Sequence, residues 1–157
     1  SSDLLSGLQI VHHTRERWNT ADFAPIVMKQ LGRIEHAEAL RFAGYILHEQ
    51  PGVTLRDYER VLYSSDEEIQ LAALYATRDC PDKLVHLELV EQLLADASAE
   101  MRHQIMMYWG ILPHSRLLPY YAAMWPEYRN HPAFRLKFLE ALKELGLPED
   151  YFEQSSK

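Results

Sequence analysis

Four segments of this chain open alike, and their spacing constrains the fold more than any other feature. Leu40-Arg41-Phe42-Ala43, Ile69-Gln70-Leu71-Ala72, Met101-Arg102-His103-Gln104 and Phe134-Arg135-Leu136-Lys137 each set Arg or Gln (His and Gln following in the third) behind an apolar anchor. The anchors fall at 40, 69, 101 and 134, in steps of 29, 32 and 33 residues. Another helical segment precedes each anchor, ending near Leu31, Leu62, Leu94 and Tyr128. Three of the gaps carry Asp66, Asp96 or Asn130. Recurrence at this period marks an array of helix pairs. One pair cannot bury its apolar face alone, so neighbours must stack into a continuous core.

Local signals agree with helices throughout. Gly is scarce at 6, and no stretch keeps the period-2 alternation of a half-buried strand. Helices are expected over approximately 3–18, 20–32, 35–49, 54–64, 66–79, 82–96, 98–112, 115–129, 132–146 and 148–154. Ser65-Asp66-Glu67-Glu68 and Ser98-Ala99-Glu100 supply cap oxygens and first-turn carboxylates for exposed amides. Pro51-Gly52, Cys80-Pro81-Asp82, His131-Pro132 and Gly146-Leu147-Pro148 read as ends or restarts. Pro25 and Pro119 must kink their helices or sit in first turns. Core stripes are Leu40-Ala43-Gly44-Leu47, Ile69-Ala72-Ala73-Ala76, Leu84-Leu87-Val90-Leu94 and Leu117-Tyr121-Met124, continued less cleanly from Met101 and Phe134.

An acidic or amide turn followed by an apolar-Arg pair that opens the second helix resembles HEAT repeats. The step near 30 is similar to the short variety in phycobilisome-lyase-type HEAT proteins, with Gln70 in place of Arg in the second unit. The resemblance spans roughly residues 20–146. It implies an all-α fold: an α-solenoid or superhelix of about four HEAT-like helix pairs. Leu4-Leu5, Leu8 and Val11 at one end, and Leu147 with Tyr151-Phe152 at the other, would supply capping helices. The whole of 1–157 is then expected to form one repeat domain, compatible with a fragment of a longer protein. Tetratricopeptide and ankyrin signatures are lacking, and a non-repeating helical bundle is the alternative.

Composition excludes several functions. With 16 basic residues against 23 acidic, the net charge is −7, and the Lys and Arg residues stand singly; no nucleic acid partner is expected. No run approaches the ~18 apolar residues of a membrane span. Cys80 is the single cysteine, which forbids an internal disulfide and suggests a cytoplasmic protein with an inert thiol. His12-His13 point about 100° apart on a helix and cannot share one tetrahedral ion, and no other His or Cys stands three or four residues from a His. The carboxylates of Asp66-Glu67-Glu68, Glu88 and Glu91, and Glu144 with Glu149-Asp150 fall at helix starts or on polar faces. No phosphate loop, nucleophile elbow or His-Glu-x-x-His appears. No catalytic residue, metal site or cofactor is expected.

What remains is a surface. One position past the core stripe, the second helices carry Arg41, Tyr45 and His48, then Gln70 and Leu74, then Arg102, Met106 and Trp109. As a ridge these would hold a protein or peptide partner through Arg and aromatic anchors. Arg41, Gln70, Arg102 and Arg135 have a second reading, as a structural ladder bonding turn carboxylates or carbonyls. The expected function is a non-catalytic interaction scaffold. The alternative, implied by the resemblance because short HEAT-like proteins include chromophore-lyase subunits, is a hydrophobic-ligand-handling or chromophore-lyase-like subunit using the Met106–Trp125 region. DNA-lesion recognition, known among HEAT-like glycosylases, fits the acidic balance least.

Overall fold

The computed structural model describes residues 2–13, 22–48 and 50–155. Helices account for all regular structure among them: α1 (Ser2–His13), α2 (Ala24–Gln30), α3 (Ala37–Leu47), α4 (Glu59–Leu62), α5 (Glu67–Ala76), α6 (Leu87–Asp96), α7 (Ala99–Trp109), α8 (Leu118–Tyr128), α9 (Pro132–Glu144) and α10 (Tyr151–Ser155). Short 3₁₀ turns extend α2 over Leu31–Arg33 and lead into α4 over Leu55–Tyr58 and into α8 over Ser115–Leu117. The expected helical residues 14–18, 20–21 and Glu49, and the side chains of Val11, His12 and His13, lie outside the described set. No described helix is long and apolar enough to cross a membrane.

Local chemistry explains the boundaries. Asp66 caps α5 by accepting from the amides of Glu68 and Ile69, and Ser98 caps α7 by accepting from Met101 N at 3.1 Å. Thr54 and Asp57 form a reciprocal capping box at the turn before α4. Pro25 and Pro119 occupy first turns, where a missing amide costs nothing, whereas Pro126 lies inside α8. Gly146 ends α9 at φ 70°, a conformation L side chains resist. There its amide reaches Lys143 O, while Leu147 N reaches Leu142 O at 2.9 Å, the paired bonds of a Schellman turn.

The chain forms two compact units, 1–89 and 90–157, with the boundary inside α6. In the first, α3 packs against α1, α2 and α5, and α4 against α5. Leu40, Ala43, Ile46 and Leu47 of α3 and Ile69, Ala72, Ala73 and Leu74 of α5 are buried. Small residues bring the two helices close: a Cβ on Gly44 would stand 3.0 Å from the Ala76 Cβ.

Residues 81–86 form turns, not the expected first turns of α6, and Leu84 is 38% exposed instead of core. The Lys83 ammonium donates to Arg78 O and Cys80 O, both at 2.8 Å, which holds the chain in a tight reversal. Asp82 ties this reversal to the preceding pair. Its Oδ2 accepts from Leu55 N at 3.1 Å and lies 2.9 Å from His86 Nε2.

An aromatic cluster fills the second unit. Phe138 is fully buried, with ring centroids of Trp125 at 5.3 Å, Phe152 at 5.4 Å, Tyr121 at 6.2 Å and Tyr128 at 6.5 Å. Phe152 of α10 stacks on Trp125 at 5.7 Å, so the last helix closes this core.

Burial raises the Tyr58 and Tyr121 phenols above the ordinary tyrosine value. The folded chain therefore retains both protons at pH values where the unfolded chain releases them. Their contribution to stability is complete below the unfolded pKa of about 10 and is lost as pH rises beyond it. Denaturant melts between pH 8 and 11 should show stability falling steeply above about pH 10, and Tyr121→Phe should flatten that fall. An unchanged slope in the variant contradicts the assignment.

Candidate functional site

The recurrent Arg and Gln positions divide by what they touch. Gln70 Nε2 donates to Leu62 O at 2.8 Å, and Arg102 Nε donates to Leu94 O at 2.9 Å, both eight residues back. Arg135 Nη1 reaches Arg129 O at 3.1 Å. Each satisfies a carbonyl at the end of the preceding helix, which has no intrahelical donor, and the two arginines place positive charge there. These three side chains act as C-terminal caps between the helices of a pair.

The other ridge residues are also split. Arg41 and Tyr45 on α3 and His48 just past its end are exposed, whereas Leu74 on α5 is fully buried. In the second unit Met106 and Trp109 are buried in α7, and Arg102 is half-buried and engaged with Leu94 O. Tyr121, Met124 and Trp125 are likewise interior, so the Met106–Trp125 region largely fills the unit's core.

Arg41, Tyr45 and His48 face a row that sequence reasoning missed, Tyr75 and Arg78 of the α5 end. Together they flank a shallow groove of about 60 Å³ with Gly44, Ala72 and Ala76 at its floor. Tyr45 is 59% exposed and Tyr75 46%. The Arg78 guanidinium lies 3.9 Å from the Tyr75 ring centroid and donates to Tyr75 O at 2.7 Å. Asp79 Oδ2 stands 3.6 Å from Arg78 Nε and 3.4 Å from His48 Nε2. Two helices joined by small residues thus bring two tyrosines and two arginines to one groove. The signal for the missed row was present: Leu71, Tyr75 and Arg78 share an i, i+4, i+7 line on one helix face.

A cavity of about 240 Å³ adjoins the groove where α3 and α5 end, sharing His48 and Ala76 with it. Leu47, Val53, Ala76 and Pro81 supply apolar wall, while Tyr58 and Cys80 add a phenol and a thiol. Burial pushes the Cys80 thiol up, reinforced by Asp82 and opposed by Lys83, so it is a weak nucleophile. No group of three or more metal-ligating side chains occurs among the described residues. Comparison with protein-family models, curated proteins and solved structures finds no match to this chain.

Proposed function

We propose that the chain is a non-catalytic binding module of HEAT-like helix pairs, stacked as a short α-solenoid in the cytoplasm, that holds an acidic protein segment on the face of α3 and α5. The observation that carries this reading is the pairing of exposed Tyr45 and Tyr75 with Arg41 and Arg78 around a floor of small residues. Tyr and Arg dominate interface hot spots because they bury much area while keeping a polar handle. The exposed Arg41 guanidinium favours a carboxylate-bearing partner, while Arg78, engaged with Asp79 and Tyr75, braces the Tyr75 ring. The capping role of Gln70, Arg102 and Arg135 supports the repeat reading, since two of the three use the same offset within their pairs.

The test is fluorescence anisotropy with a labelled amphipathic peptide whose Glu and Asp residues alternate with Leu and Phe. Saturable binding should weaken as salt rises. Arg41→Glu or Tyr45→Ala should each weaken it roughly 30-fold, the scale of a hot spot. Equal binding of an Asn/Gln version of the peptide, or no effect of either substitution, contradicts the proposal.

A further inference from the structure

The cavity beside the groove has its own chemistry. Tyr58 is 2% exposed, lines the cavity, and makes no hydrogen bond through its hydroxyl among the described residues. Its hydroxyl oxygen keeps some accessible surface, so an acceptor that enters the cavity would replace water there. Burial pushes the Tyr58 phenol and the Cys80 thiol up, so neither is ionised at neutral pH, and Asp79 is the carboxylate of the lining. At the rim, Asp79 is shared between His48 and Arg78. An anion would meet that carboxylate and lose its hydration without a free counter-charge. A dry apolar cavity of roughly 150 Å³ accepts benzene, so about 240 Å³ admits a substituted six-membered ring.

We propose that this cavity is a binding site for a small uncharged ring compound bearing a carbonyl oxygen, seated between Leu47, Val53 and Pro81 with its oxygen on the Tyr58 hydroxyl. This inference does not rest on a protein partner in the groove, although the cavity shares His48 and Ala76 with it.

Benzamide is the probe and benzoate its charged counterpart, titrated into the full ¹⁵N-labelled chain and read by amide shifts. Benzamide should shift residues 47–58 and 76–81 saturably, and benzoate should bind at least about ten-fold more weakly, given the cost of burying an unpaired charge. Tyr58→Phe keeps the ring and should weaken benzamide about five-fold, the scale of one neutral hydrogen bond. Bound benzamide should also slow alkylation of Cys80, the single thiol, by N-ethylmaleimide. If Tyr58→Phe does not fold, Val53→Phe fills the cavity from its loop and should abolish the shifts. The proposal is overturned if benzamide shifts nothing up to its solubility limit or if benzoate binds equally. Unchanged affinity in a folded Tyr58→Phe, or in Val53→Phe, overturns it as well.

Discussion

Replacing Phe138 with alanine should cost about 3–5 kcal/mol, the range for truncating a buried aromatic. The ring is fully buried and meets four others: edge-on with Trp125, Phe152 and Tyr121, and stacked with Tyr128. Truncation removes its transferred area and leaves a cavity whose walls are themselves rigid rings, poorly able to collapse. Because Phe152 packs on both Phe138 and Trp125, α10 should loosen first, exposing Trp125. Urea melts followed by tryptophan fluorescence and circular dichroism check this, with Phe138→Leu expected to lose less. A loss below about 1 kcal/mol would show that the cluster is not the core of this unit.

Asp82→Ala should cost about 2–3 kcal/mol, more than most substitutions at a partly exposed site. One carboxylate oxygen serves both Leu55 N and His86 Nε2, so its removal strands an amide at the turn before α4 and releases the 81–86 reversal. Its second oxygen, Oδ1, is buried with no partner among the described residues. Asp82→Asn retains an acceptor for Leu55 N and should lose well under half as much. Hydrogen exchange should locate the loosening at Leu55 and at residues 82–86. Equal losses in the two variants would mean that charge, not the shared acceptor, holds this turn.

The helices were legible in the sequence because their punctuation is local chemistry. Asp66, Ser98, Pro119 and Gly146 each act within one turn of their own position, so reading them required no tertiary knowledge. Residues 81–86 were misread because Leu84, Leu87, Val90 and Leu94 keep a helical period. The decisive bonds are those of Lys83 to Arg78 O and Cys80 O, and no periodicity rule encodes a lysine that caps a turn. The site was half legible. Arg41, Tyr45 and His48 emerge on a groove, but carrying the same offset into α5 points to Leu74, which is buried, instead of Tyr75. On α5 the exposed position at the groove is Tyr75, one residue and roughly 100° past the buried Leu74. Met106 and Trp109 were drawn to the surface reading by an α7 that is apolar on several sides; Met107 is its exposed apolar residue, half-exposed at 50%.

The most direct test of the binding face is site-specific photocrosslinking. A benzophenone amino acid is placed at position 45, 75 or 136 of the full chain, Leu136 being an exposed control at 58%. With the acidic amphipathic peptide, positions 45 and 75 should crosslink, excess unlabelled peptide should compete, and Arg41→Glu should suppress the yield, with position 136 remaining at background. Equal yields at all three positions, or crosslinking at 136 alone, would contradict a partner site on α3 and α5.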